Sequence, residues 1–253
     1  MQFDIIDDSY SSRCFGVPIV TLKIKGRTSS LGYLTIARNL AEGLQNLNLH
    51  YIVCKHRLQD VSVIHGLEEI GFRLMGVGAK LSRMKDTAPI TASTDHAVRV
   101  EPYEQTHLEL FTLLLDETQN FFYGTHYYNS PYLDSKLVDR FYSRWIMADL
   151  QDRCNKNFVA LQNDRIVGFI TGMERHDEAK LDLVWVDESV RRKGIGKLLI
   201  NTLLSNIKPG KLVCDAYMTE KKALGLYLAT GFEIQDVYAI YHKYLGAPTG
   251  DSP

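Results

Sequence analysis

The sequence predicts an α/β fold, and three observations carry that reading. Short apolar runs alternate along the chain with stretches whose apolar positions repeat at helical spacing. One junction, Leu181 to Ile200, reads as an apolar strand, a tight basic turn and an amphipathic helix. A segment near residue 71 also recurs near residue 231. Gly71-Phe72-Arg-Leu74-Met-Gly-Val77-Gly-Ala79 matches Gly231-Phe232-Glu-Ile234-Gln-Asp-Val237-Tyr-Ala239 in glycine, phenylalanine, aliphatic, valine and alanine at equal offsets.

Taken in order, Ile19 to Ile24 alternates as a strand. Ser29-Ser30 then caps a helix whose apolar face holds Leu34, Ala37, Leu40, Ala41 and Leu44. Tyr51 to Cys54 is a short buried strand, and Asp60 precedes a helical stripe of Val61, Ile64, Leu67 and Ile70 that stops at Gly71. The repeat makes the N-terminal part a reduced copy of the C-terminal half, extending the sheet and walling off a cleft. Lys85 to Asp95 is small and polar with Pro89, a linker. The expected division is therefore an N-terminal unit at 1–85, a linker at 86–96, a main domain at 97–246 and a flexible tail at 247–253. In the main domain Ala97 to Val100 is a strand. Pro102 to Asn120 is a helix with Leu108, Leu110, Phe111, Leu114 and Leu115 inward. An aromatic loop runs from Phe121 to Tyr132, and a second helix from about Asp134 to Leu150. Two strands, 158–161 and 166–173, form a hairpin around Asn163-Asp164. Beyond the basic turn come a strand at Lys211 to Tyr217, a helix around Ala223 to Ala229 and a last strand running to Tyr244.

Composition narrows the function classes. A net charge of -1 with 23% charged residues gives no global pull towards nucleic acid or membrane. No apolar run approaches the ~18 residues of a bilayer span, and Asp4, Asp7 and Asp8 crowd the start where a secretory leader carries basic and then apolar residues. The expected location is cytoplasmic. Cys14, Cys54, Cys154 and Cys214 are scattered without metal-ligand spacing, so they read as buried thiols and no metal is expected.

The basic character is local. A helix starting after Gly194-Ile195-Gly196 turns its free N–H groups and positive dipole end into the turn. With Arg191, Arg192, Lys193 and Lys197 the turn becomes a socket for a diphosphate. The pattern Arg191-x-x-Gly194-x-Gly196 at a strand-to-helix junction resembles the acyl-CoA pyrophosphate loop of the GCN5-related N-acetyltransferases (GNAT). The order that follows it, strand, helix with Tyr227, Gly231-Phe232 and strand, is similar to the C-terminal signature of that family. The resemblance covers roughly 97 to 245 and implies a mixed, largely antiparallel sheet, preceded by a reduced half of the same kind. It implies acetyl-CoA as co-substrate, held by backbone from Arg192 to Gly196 and by Arg191, Arg192 and Lys197. Val184, Trp185 and Val186 form the coenzyme strand, with Val184 and Val186 pairing with pantetheine and the Trp185 side chain on the opposite face. Tyr227 takes the place from which family members protonate the departing sulfur. Lacking a basic Gly-x-Gly turn, the first repeat is not expected to bind coenzyme.

Acetyl transfer also needs a base for the amine, or water leading to one. Glu174 is the foremost candidate, with Asp182, Asp187 and His176 beside it in sequence. Tyr123 and Tyr128 in the aromatic loop could stack on a base or cover a sugar. Arg140 and Arg144, one helical turn apart, are spaced to meet a diphosphate, and Phe15 could line the same cleft. Each also has a structural reading, as core aromatic or surface arginine. Cys14-Phe15-Gly16, the reduced N-terminal half and Arg140-Phe141-Tyr142-Ser-Arg144-Trp145-Ile146 resemble the dTDP-fucosamine acetyltransferases, which acetylate the amine of a dTDP-linked 4-amino-4,6-dideoxygalactose. Where members of the superfamily often carry Asn, seven residues before the helical Tyr, this chain has Glu220. The resemblance implies a nucleotide-sugar partner, no nucleic acid and no membrane insertion, and is compatible with a homodimer. Protein N-termini, polyamines or aminoglycosides remain open as acceptors, as does a non-catalytic acyl-CoA-binding role.

Overall fold

The structure, a computed structural model, describes residues 2–26, 31–45, 47–85, 98–118 and 121–246. The Ser29-Ser30 cap, the linker at 86–96 and the tail at 247–253 lie outside the described residues. The first half runs β1 (Gln2–Asp7), α1 (Ser9–Phe15), β2 (Ile19–Lys25), α2 (Tyr33–Gln45), β3 (Tyr51–Arg57), α3 (Val61–Glu69) and β4 (Arg73–Met84). The second runs β5 (Arg99–Pro102), α4 (Leu108–Glu117), α5 (Ser135–Ala148), β6 (Lys156–Gln162), β7 (Arg165–Glu174), β8 (Ala179–Val186), α6 (Ile195–Asn206), β9 (Lys211–Tyr217), α7 (Lys221–Ala229) and β10 (Glu233–Tyr244).

The strands form one sheet in the order β1-β2-β3-β10-β4-β9-β8-β7-β6-β5. Among the described residues only β2–β3 and β8–β9 pair in parallel, so the sheet is mixed and largely antiparallel, as expected. Helices α2, α3, α6 and α7 bury their apolar stripes on one face, and α1, α4, α5 and the aromatic loop cover part of the other. No helix among the described residues is long and apolar enough to cross a membrane.

The repeat is visible in the element boundaries. β2, β3, α3 and β4 begin at residues 19, 51, 61 and 73, and β8, β9, α7 and β10 at 179, 211, 221 and 233, a constant offset of 160. Gly71 and Gly231 both take left-handed conformations, with φ of 85° and 81°, and Phe72 and Phe232 are both buried. The two halves exchange their last strands: β10 lies between β3 and β4, and β4 lies between β9 and β10. Gly78 and Tyr238, counterparts in the repeat, face each other in the β4–β10 ladder. Two tyrosines there would collide. A Cβ on Gly78 would stand 2.5 Å from Tyr238 Cζ, so one copy carries the ring and the other the space for it.

Three local expectations are corrected. β1 and α1 add an edge strand and a capped helix where no regular element was expected. The aspartates mask β1, but an edge strand tolerates charge, and it pairs with β2 from Gln2↔Lys25 to Asp7↔Val20. α1 is too short to show a period; Asp8 caps it through Ser11 N–H, and Gly16 closes it at φ 70°. The helix expected from Pro102 begins at Leu108, because Pro102 ends β5 and Glu104 and His107 form a reciprocal cap. The hairpin turn is as expected, with Asn163 and Asp164 at φ of 50° and 56°.

Candidate active site

β8 and β9 start side by side and then part. They pair only at Ala179↔Leu212 and Lys180↔Val213. On its other edge β8 stays paired to β7 as far as Gly168↔Val186, but the register slips between Thr171↔Leu183 and Gly172↔Leu181. Asp182 is therefore the extra residue of a bulge, which bends β8 away from β9. Thr171, fully buried, holds the bulge: its hydroxyl accepts from Leu183 N–H at 3.1 Å and donates to Asp149 Oδ2 at 2.8 Å.

The bulge sets which backbone groups face the fork. Leu183 N–H points to β7, and Asp187 N–H donates to Val167 O at 2.9 Å. By alternation Val184 and Val186 turn their amide groups away from β7, into the space where β9 has departed. Trp185, expected among the coenzyme contacts, is corrected. Its amide groups point at β7 and its ring stacks on Phe169 at 5.9 Å, inside the core under α4 and α5.

The turn after β8 is shaped by two left-handed residues, Arg192 (φ 69°) and Gly194 (φ 82°). α6 then begins with no side-chain cap and no acid in its first turn. Its first helical bond runs from Leu198 N–H to Gly194 O, so the N–H groups of Ile195, Gly196 and Lys197 lack intrahelical acceptors. Gly196 serves helix packing: a Cβ there would come 2.9 Å from Leu226 Cδ2 on α7. Ile195 is a core residue. Arg191 is committed to the turn, donating from Nε to Val186 O and from Nη1 to Glu188 Oε1, both at 2.9 Å. Arg192 and Lys193 are exposed, and among the described residues neither they nor Lys197 enter an ion pair.

Tyr227 is buried on α7, its ring 5.5 Å from Phe232. Burial pushes its phenol well above its ordinary pKa, with Cys214 and Asp215 of β9 and Asp182 of β8 adding to the effect. The group keeps its proton at neutral pH and feels charge from both arms of the fork.

On the opposite face, Asp182 accepts from Trp145 Nε1–H at 2.9 Å and pairs with Lys180 at 2.8 Å and Arg153 at 3.3 Å. Burial alone would raise this carboxyl, but Lys180, Trp145 and Arg153 hold it below its ordinary pKa. Asp149 beside it is pushed up to about 7 by burial and then by the Asp182 charge. Arg153 Nη1 lies 3.1 Å from Asp149 Oδ1, yet no donor is aligned on that oxygen. Donor atoms of Asp149, Cys154 and Asp182 fall within 4.8 Å of one another, but Arg153 and Lys180 already supply positive charge and burial keeps the Cys154 thiol protonated, at about 12.

Several expected substrate and base residues lie elsewhere. Glu174 sits at the far end of β7, where its carboxylate accepts from Lys208 N–H at 3.3 Å and pairs with Lys156 at 3.5 Å. It braces the end of α6 and does not reach the fork. Asp187 is spent capping the turn at Ser189, and His176 is exposed in the β7–β8 loop. Phe15 is core, stacked on Phe141 at 5.0 Å. Arg140 and Arg144 are exposed on the side of α5 opposite its buried Val138, Phe141, Tyr142 and Ile146, so they face away from the sheet. Tyr128 donates to Asp139 and stacks on Tyr142 at 5.9 Å. Tyr123 stands 69% exposed. The loop itself is pinned by a buried chain from Ser130 through Tyr51 and His242 to His126, with links of 2.6, 2.7 and 2.7 Å. Of the four cysteines, three are buried and Cys14 is half-buried. Lys180, Thr171 and Asp149 were missed. Their signal, polar residues inside an apolar pattern, becomes readable only once the bulge is known.

Residues 154–234 match the family model described as the Acetyltransferase (GNAT) domain. This stretch is similar in sequence to a GNAT acetyltransferase domain. The chain is similar to the spore coat polysaccharide biosynthesis protein SpsD of Bacillus subtilis, 27% identical over 128 residues, which are 49% of this chain and 44% of that protein. The chain spans about half the length of the curated relatives it matches. Among solved structures, a GCN5-related N-acetyltransferase from Sphaerobacter thermophilus matches with a TM-score of 0.64 at 15% identity, over 99% of this chain and 78% of that one. A tandem GNAT protein from the clavulanic acid biosynthesis pathway matches with a TM-score of 0.58 at 11% identity, over 94% and 77%. At these identities the likeness is one of fold. Domains of the GNAT family use acetyl-CoA as co-substrate, and here an uncapped helix start, three cations that enter no ion pair among the described residues and the Val184–Val186 edge lie at the fork.

Proposed function

We propose that the chain is an acetyl-CoA-dependent N-acetyltransferase acting on the amine of a nucleotide-linked 4-amino-4,6-dideoxy sugar. The observation that carries the acyl-transfer part is the fork between β8 and β9, open beyond Lys180↔Val213, with the Arg192–Lys197 turn at one end and Tyr227 set against it. The amine attacks the acetyl carbon, the C–N bond forming as the C–S bond breaks. Tyr227 gives its proton to the departing sulfur and regains one from solvent, while the amine releases its own to a base. The sugar part rests on the short motifs shared with dTDP-fucosamine acetyltransferases and on the likeness to a polysaccharide biosynthesis protein.

Replacing Tyr227 with Phe tests the chemistry. With dTDP-4-amino-4,6-dideoxygalactose and acetyl-CoA, kcat should fall by about 10²-fold or more, as for a lost general acid, with acetyl-CoA binding retained. An unchanged kcat would remove Tyr227 from the reaction. A parallel panel of UDP-amino sugars, spermidine and an N-terminal peptide decides the acceptor, which is the best-used amine.

A further inference from the structure

The geometry points to a strip on the α1/α5 face of the sheet, from exposed Lys55 past the buried Tyr238 ring to exposed Asp215, as the dock for an acceptor that carries an amine at one end and an anion at the other, with Asp215 receiving the amine. This rests on the amine-acetylation reading above and assigns it residues.

The strip crosses the exchange between the halves. Lys55 on β3 and Asp215 on β9 are counterparts in the repeat, one basic and one acidic, flanking the Gly78–Tyr238 pair. Side chains at 51, 53 and 55 share a face with Tyr238. The Lys55 ammonium stands over the Tyr238 ring at 5.9 Å, and Tyr238 O–H donates to Asp215 Oδ1 at 3.1 Å. The ring lies flat because Gly78 beneath it has no side chain. The Lys55 residue is exposed, whereas the Tyr238 ring under its ammonium is only 7% exposed.

At the acidic end the strip meets the fork. Beyond Lys180↔Val213 the next residues on this face are Asp182 on one arm and Asp215 on the other, both reached by Lys180, at 2.8 and 3.8 Å. Asp182 is only 3% exposed and engaged by three donors, whereas the Asp215 side chain is 46% exposed. An amine entering from this face meets Asp215 first. As the C–N bond forms and the C–S bond breaks, the surplus proton on nitrogen passes to the Asp215 carboxylate, which releases it to solvent. The other end is the Lys55 ammonium, which overlies the Tyr238 ring at 5.9 Å while the hydroxyl of that ring meets Asp215 at 3.1 Å, so one tyrosine side chain separates the two charges. A small free amine cannot use it, whereas a diphosphate joined to an amino sugar places its negative charge there.

The test compares Asp215→Asn and Lys55→Ala on two acceptors, dTDP-4-amino-4,6-dideoxygalactose and methyl 4-amino-4,6-dideoxygalactoside. The acetyl-CoA-induced rise in Tm checks fold and coenzyme site. Asp215→Asn should lower kcat about 10²-fold on both acceptors, the residual rate climbing with pH where the wild type has levelled. Lys55→Ala should raise KM about tenfold for the nucleotide sugar alone, with kcat unchanged. If both variants stay within about twofold of wild type on both acceptors, the strip is not the dock, and the acetyltransferase reading survives. Equal effects of Lys55→Ala on both acceptors overturn the anion assignment. A wild type that binds acetyl-CoA but acetylates neither sugar overturns the acceptor class and the strip with it; one that does not bind acetyl-CoA overturns the coenzyme reading first.

Discussion

Replacing Thr171 with Val removes one hydroxyl, and the structure predicts a loss out of proportion to that change. The side chain is fully buried and valine nearly matches its shape, so the cavity term is small. What is lost is a partner for two buried groups: Leu183 N–H, displaced from the β7 ladder by the bulge, and Asp149 Oδ2. Leaving a buried polar group unsatisfied costs about 1–3 kcal/mol, so the pair costs roughly 2–6 kcal/mol. At about 2–4 °C per kcal/mol for a chain of this size, Tm should drop by roughly 4–24 °C. Thr171→Ser keeps the hydroxyl and gives up a methyl group, for about 1 kcal/mol. Melting should be followed at pH 8, where Asp149, with its pKa of about 7, is ionised and needs the donor most. Acetyl-CoA should also protect the Val variant less, because a relaxed bulge closes the fork. If the Val and Ser variants melt within about 2 °C of each other, the bulge is held by something else and the account of the fork is wrong.

The raised pKa of Asp149 makes a statement about pH. Its folded-state value of about 7 exceeds the ~3.8 of an exposed carboxyl, so between those values the folded chain binds more protons than the unfolded one. Its contribution must therefore weaken stability as pH rises from about 4 to about 7 and level off above. Asp182, held low, acts oppositely but below that window. Urea titrations should show Asp149→Asn losing the decline between pH 4 and 7; a slope equal to wild type would place the titration elsewhere. At the exchange between the halves, Gly78→Ala sets a methyl 2.5 Å from Tyr238 Cζ and should cost about 1–3 kcal/mol in a urea midpoint assay. In a Tyr238→Ala background the same change should cost nothing or stabilise, since alanine restricts the unfolded chain. Additive effects would mean that the ring is not what requires the glycine.

Much of this architecture was legible because local signals agreed with the fold. The strand, basic turn and helix from Ala179 to Asn206, the Asn163-Asp164 hairpin and the Gly-Phe repeat all carry short-range chemistry that tertiary packing then used. β1 was hidden because an edge strand needs one partner and tolerates aspartates. The direction of Val184 and Val186, away from β7, was readable, since strand alternation fixes it. The same alternation turns Trp185, counted with them in the coenzyme strand, towards β7. The acceptor side was not readable. Glu174 and Arg140 are near the fork in sequence or by family likeness, but strand length and helix phase carry them away from it. Lys55, Tyr238 and Asp215 come from strands far apart in sequence, and only the exchange of β4 and β10 sets them in line. No local pattern encodes that.

The central claim is that the fork and the Arg192–Lys197 turn grip a coenzyme thioester, and a calorimetric titration of acetyl-CoA into the wild type and into an Arg192→Ala/Lys193→Ala/Lys197→Ala variant tests it. The wild type should bind with one-to-one stoichiometry, and the variant about tenfold or more weaker, with a flatter dependence on salt because three cations no longer face the diphosphate. No binding by the wild type, or equal affinity and equal salt dependence in both proteins, would contradict the assignment.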